Sequence, residues 1–156
     1  MKYSSIEIPQ ANSVDLLFHA IAAARFGTCS ATDVALALSE NSGTKYVERQ
    51  GAYYADACVI LGLMVKNDDG YILSQRGKNL AIRLNSPEAQ TLMADAILST
   101  PLIQELLEDL SANSAMQPTV EQVAHWVSRH TDLSFTTANR RASTLRNYLA
   151  YAWGHQ

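Results

Sequence analysis

The sequence predicts a mainly helical chain with one small β-hairpin, and three observations predict it. Between residues 44 and 84 a helical spacing of apolar residues runs to Leu61 and stops at Gly62. Two short apolar segments follow, Leu63-Met64-Val65 and Tyr71-Ile72-Leu73, joined by Lys66-Asn67-Asp68-Asp69-Gly70, where Asp69-Gly70 is a strong hairpin signal. Elsewhere apolar side chains recur three and four positions apart behind Ser, Thr or Pro, as in capped amphipathic helices.

Taken in order, Ile6 and Ile8 alternate with polar neighbours ahead of Pro9, which suits either a short edge strand or an arm. Asn12 or Ser13 caps a helix running through Gly27, with Val14, Leu17, Phe18, Ile21 and Ala24 on one face. Ser30-Ala31-Thr32-Asp33 has capping-box form and opens a short helix bearing Val34, Leu36, Ala37 and Leu38. Asn41-Ser42-Gly43 is a turn. A helix from about Thr44 to Leu61 places Val47, Gln50, Tyr54, Ala57, Cys58 and Leu61 inward, and Lys45, Glu48, Arg49, Ala52 and Asp56 outward. The hairpin follows, and Ser74 then starts a helix with Leu80, Ile82 and Leu84 apolar.

Ser86-Pro87-Glu88 starts a further helix, with Leu92, Met93, Ala96 and Ile97 as its stripe. Thr100-Pro101 begins another, with Leu102, Ile103, Leu106, Leu107 and Leu110. Residues 111–115 form a loop. Pro118-Thr119 opens a helix carrying Val123, Trp126 and Val127; His130 to Ser134 turns. Thr136 or Thr137 then caps a long helix with Ala138, Ala142, Leu145, Leu149 and Ala152 inward.

Two short helices, a longer one and a hairpin make a winged helix-turn-helix, in which the hairpin is the wing. The C-terminal pair of helices repeats the first part of that plan, so the expected organisation is two winged-helix-like units joined by helices. The divisions are residues 1–85, the connecting helices 86–110, and a second helix-turn-helix unit over 111–156. Either that second unit lacks a wing, or these residues are part of a longer product.

Composition narrows the function classes. Apolar residues make up 47 % of 156, which is ordinary for a folded chain, and no run approaches the ~20 residues that span a bilayer. The N-terminus lacks the apolar core of a secretory signal, so an intracellular, cytoplasmic protein is expected. Cys29 and Cys58 are too few for a disulfide framework and are expected to be reduced packing residues. The four histidines show no metal-ligand spacing with them, so neither a metal nor a cofactor is expected. No nuclease, hydrolase or phosphate-loop pattern is visible, and an enzyme is not expected. Net charge is −3, unevenly spread: residues 1–110 carry eight Lys/Arg against thirteen Asp/Glu, whereas residues 111–156 carry four arginines against Glu121 and Asp132. That asymmetry points to an anionic partner for the C-terminal part.

The final helix is where such a partner would dock. A helix entering a major groove needs Arg, Asn, Ser and Thr on its exposed N-terminal turns to reach phosphates and base edges. Thr136, Arg140, Ser143, Thr144 and Asn147 lie opposite its apolar side, with Arg141 and Arg146 on the flanks. The alternative is a solvated polar face. The helix before the hairpin offers Lys45 and Arg49, but Glu48 and Asp56 share that surface, and Asp68 and Asp69 at the wing tip would repel phosphates.

Ala57, Leu61, Gly62, Leu63, Val65, Gly70, Tyr71, Leu73, Ser74 and Gly77 resemble the helix-to-wing pattern of many prokaryotic winged-helix domains. Arg49-Gln50-Gly51-Ala52-Tyr53-Tyr54, Arg140 to Leu145 and Tyr148 to Trp153 together resemble the paired winged-helix region of bacterial restriction and phage-defence proteins, over roughly residues 13–153. The resemblance implies a non-catalytic module or regulator that binds double-stranded DNA in a restriction-modification or phage-defence setting. In that family a nuclease or other effector domain often follows, so the chain as the N-terminal part of a longer nuclease is an alternative. The other alternative is an adaptor that uses winged-helix surfaces for homodimerisation or for docking a protein partner.

Overall fold

The computed structural model describes residues 2–156 and is mainly helical with one small antiparallel sheet. The helices are α1 (Val14–Ala23), α2 (Ala31–Ser42), α3 (Glu48–Ile60), α4 (Gln75–Ala81), α5 (Pro87–Ser99), α6 (Pro101–Asp109), α7 (Val120–His130) and α8 (Phe135–Gly154); the strands are β1 (Met64–Asn67) and β2 (Gly70–Leu73). No described helix is long and apolar enough to cross a membrane.

Local chemistry sets most boundaries. Ser13, Ser30, Ser74, Thr119 and Ser134 each accept a backbone N–H with the side-chain oxygen, satisfying a first-turn donor that has no partner inside the helix. The cap of α8 is therefore Ser134, where Thr136 or Thr137 was expected. Those two sit inside the first turn, where their own N–H groups need acceptors. The helix expected through Gly27 ends at Ala23, and the one expected from Thr44 begins at Glu48, after Val47. Thr44 and Tyr46 instead donate their N–H groups to Ser42 and Ser39 hydroxyls in a tight α2–α3 connection. Gly62, at φ +74°, turns the chain from α3 into the hairpin in a conformation side chains disfavour.

The hairpin register pairs Met64 with Leu73 and Asn67 with Gly70, so Asp68 and Asp69 form the loop, one position earlier than the Asp69-Gly70 turn expected. A third segment lies beside β2. Cys29 exchanges two 2.9 Å backbone hydrogen bonds with Tyr71, so a single residue between α1 and α2 extends the sheet. On the other side, the Tyr71 hydroxyl donates to Asp56 at 2.6 Å, fixing the hairpin to α3.

One continuous core runs from Ile8 to Ala152 and takes residues from every helix. Its main helix pairs are α7 with α8, α2 with α3, α1 with both α2 and α3, and α5 with α8. Both cysteines are buried free thiols, Cys58 with its pKa pushed up by complete burial. The inward positions expected for α8 are all buried, as are Met93, Ala96 and Ile97 of α5. Val47 and Leu36 do not join them; both are exposed.

The N-terminal segment, expected as either an edge strand or an arm, is an arm with one 3₁₀ turn at Ser5–Glu7. It runs along α8 and needs donors for its carbonyls there. Arg141 Nη1 donates to Ser5 and Ile8 carbonyls at 2.8 and 2.9 Å. Tyr148 donates to the Ala11 carbonyl at 2.7 Å, and Asn147 Nδ2 donates to Asn12 Oδ1 at 2.9 Å. Lys2 and Tyr3 close the arm's other end: both side chains donate to Glu105, and both backbone N–H groups donate to the His130 carbonyl.

Candidate nucleic-acid interface

The arm divides the polar side of α8. Arg141 is 9 % exposed and Thr144 4 %, because the arm lies over them. Asn147 is exposed but tied to Asn12. The expectation that Arg141 and Thr144 face solvent is therefore corrected: Arg141 donates to the Ser5 and Ile8 carbonyls, and the Thr144 hydroxyl to Asn12 Oδ1 at 3.3 Å. Thr136, Arg140 and Ser143 remain exposed. Arg146 lies about 140° round the helix from Arg141, partly buried, with Nε and Nη1 lacking a protein acceptor among the described residues. The α8 arginines thus do not form one strip.

What gathers instead is a pair of elements distant in sequence. Arg49 and Tyr53 from α3, and Thr137, Arg140, Arg141 and Thr144 from α8, line one cleft of about 370 Å³, with Gln10 of the arm at its edge. Arg49 lies over the Tyr53 ring at 5.6 Å, which holds the guanidinium against the α3 wall. On the opposite wall, Arg140 Nη2 reaches Thr137 Oγ1 at 3.5 Å. No carboxylate lines the cleft, and none of its three arginines forms an ion pair among the described residues. Burial lowers the Arg141 pKa from its ordinary value, and the Arg140 charge adds to that lowering. Three uncompensated cations in a concavity raise the local potential and favour an anion there.

Lys45 is exposed in the α2–α3 connection, outside this lining. The hairpin tip, Asp68 and Asp69, is exposed and acidic. Sequence reading named Arg49, Arg140, Arg141 and Thr144 but not their convergence; it took Thr137 only as a helix cap and Tyr53 only as a core or rim aromatic, and it missed Gln10. Tyr53 had a local signal, four residues after Arg49 on one helix face.

A second cluster was also missed. Glu105 and Asp109, one turn apart on α6, meet His130 of α7 with ligand atoms within 4.8 Å of one another. Trp126 Nε1 donates to Asp109 at 2.8 Å, and His130 Nδ1 lies 2.7 Å from the Trp126 carbonyl. Glu105 accepts from Lys2 and Tyr3, which hold its carboxyl below the ordinary range. These groups already satisfy one another and anchor the arm.

A family profile spans residues 38–156, 119 of the 156. The chain belongs to DUF7226. The description of DUF7226 is a domain of unknown function. The matched span includes every lining residue of the cleft except Gln10, which belongs to the arm. No curated protein and no solved structure matched the chain.

Proposed function

We propose that this DUF7226 chain is a non-catalytic DNA-binding module built on a winged helix-turn-helix, contacting a duplex with the surface shared by α3 and α8. The order α1, the Cys29 bridge, α2, α3 and hairpin supports the winged-helix part of this reading. The single observation that carries the DNA part is the cleft: Arg49 and Arg140, ninety-one positions apart in sequence, flank one concavity free of carboxylates. Thr136 and Ser143 are further exposed polar residues of α8, and Lys45 is an exposed cation ahead of α3. The acidic hairpin tip would repel phosphates, so in this reading contact is made by helices rather than the wing. Within this reading Arg141, Thr144 and Asn147 position the arm and the cleft floor. A restriction or phage-defence setting, drawn from the sequence resemblance, belongs to the same proposal.

The test is duplex binding by fluorescence anisotropy across a salt series. Arg49→Ala and Arg140→Ala should each weaken binding roughly five- to tenfold and reduce the slope of log affinity against log salt by about one, since one fewer counterion is released. Binding that both substitutions leave unchanged would sink the assignment.

One observation favours a second reading, an adaptor that docks a protein or a second copy. Ile6 is 77 % exposed at the lip of a groove lined by Tyr3, Val59, Ile60, Pro101 and Leu102. Light scattering at rising concentration separates the two, because a concentration-dependent dimer abolished by Ile6→Asp belongs to the adaptor reading.

A further inference from the structure

The cleft has more donors than a duplex backbone can use at one point. A phosphodiester presents two non-bridging oxygens and a single negative charge. Arg49, Arg140 and Arg141 bring three guanidinium groups from two helices, and Thr137, Thr144 and Gln10 add two hydroxyls and an amide. Arg141 supplies the second, independent indication. Its two hydrogen bonds to the arm both leave from Nη1, and Nε and Nη2 make no hydrogen bond to the described residues, so the guanidinium keeps two donors for the cleft it lines. Those two nitrogens keep solvent access on the cleft side, so an anion entering the cleft can take their hydrogens without breaking either bond to the arm.

We infer that the cleft between α3 and α8 is a binding site for a single phosphate monoester. A monoester dianion carries three terminal oxygens, so each guanidinium can take one in a charge-assisted bond, and its charge suits three cations better than a diester's does. The 370 Å³ concavity has room for a nucleoside attached to that phosphate, with the Tyr53 ring on the α3 wall beside it. Such a group comes from two sources, the 5′ end of a nucleic-acid strand or a free nucleotide. The inference rests on reading this cleft as the anion-contacting surface, and it narrows what that surface takes.

The experiment is isothermal titration of the full chain with a nucleoside 5′-monophosphate, against sodium chloride of equal ionic strength. It is paired with anisotropy on one short duplex carrying either a 5′-phosphate or a 5′-hydroxyl. One-to-one binding of the monophosphate, weakened at least tenfold by Arg49→Ala and by Arg140→Ala, is the expected result. Both residues are exposed, so these variants keep the fold; Arg141→Lys, checked for folding by circular dichroism, probes the floor. If the 5′-phosphate duplex binds at least fivefold tighter than the 5′-hydroxyl duplex, the source is a strand end. If the monophosphate binds and the two duplexes bind equally or not at all, the source is a free nucleotide. Duplex binding sensitive to Arg140→Ala, with no monophosphate binding and no preference for the 5′-phosphate, overturns the monoester site and leaves the duplex reading intact. Monophosphate binding indifferent to both substitutions also overturns it.

Discussion

Arg140 and Arg141 are neighbours in sequence, yet a helix turns them about 100° apart, and that angle divides their roles. Arg140 projects into solvent at the cleft mouth, and Arg141 turns under the arm to hold the carbonyls of Ser5 and Ile8. Replacing Arg141 with Met keeps much of the buried stem but leaves two acceptors without their charged donor. A loss of about 2–3 kcal/mol is expected, read from the urea midpoint at constant slope. Arg140→Ala, by contrast, should leave that midpoint within about 0.5 kcal/mol, as for an exposed side chain without a buried partner. Equal stability losses for the two would contradict the division of labour between them.

At the scale of elements, the cleft depends on how α3 is seated against α2. Gly51 permits a close crossing: a Cβ there would stand 2.0 Å from the Ala31 carbonyl oxygen and 2.8 Å from the Ala35 nitrogen, both backbone atoms that cannot swing aside. Gly51→Ala gains about 1 kcal/mol of helix propensity but forces α2 and α3 apart. A net destabilisation of roughly 1–3 kcal/mol is expected from denaturation, with weaker ligand binding because Arg49 and Tyr53 ride on α3. A variant more stable than the parent would show that the two helices are not in such close contact. The hairpin is held in the same way, by Cys29 on one side and by the Tyr71–Asp56 hydrogen bond on the other, which fixes its acidic tip relative to α3.

Across the whole molecule, the core is continuous through all three stretches into which the sequence divides, and α5, expected as a connector, packs on α8 as well as on α4 and α6. The tyrosines tie this core to pH. Burial raises the pKa of Tyr54, Tyr71 and Tyr148, and that of Tyr151 to about 12. An unfolded tyrosine ionises near about pH 10. Above that, the unfolded chain gives up protons that the folded chain keeps, so stability falls as pH rises. The buried thiols of Cys58 and Cys29, also pushed up, start the fall near about pH 8.5, so the urea midpoint should be level up to about pH 8 and decline steeply by about pH 11. A midpoint unchanged over that interval would show that these hydroxyls ionise as freely in the folded state. On the acid side, Glu7 and Glu105 are held below the ordinary range by hydrogen bonds from Ser4, and from Lys2 and Tyr3. Their contribution is present above the ordinary glutamate pKa and is lost as pH falls through the lowered values, loosening the arm first.

Short-range chemistry made the elements legible in advance. Serine and threonine caps, prolines at helix starts, Gly62 and the apolar periodicities each act over a few residues, so every helix, the hairpin and the buried side of α8 could be read from the chain alone. Misjudged boundaries fell where caps competed, at Ser134 against Thr136 and Thr137, and where the connection before α3 drew on hydroxyls from α2. What only tertiary structure decided was which polar side chains stay in water. An arm of weakly patterned sequence lies across α8 because its carbonyls find donors in Arg141, Asn147 and Tyr148, and none of those contacts is closer than 130 residues in the chain. The same long-range packing brings Arg49 to Arg140. Charge and periodicity describe one helix at a time, whereas a cleft belongs to the space between two.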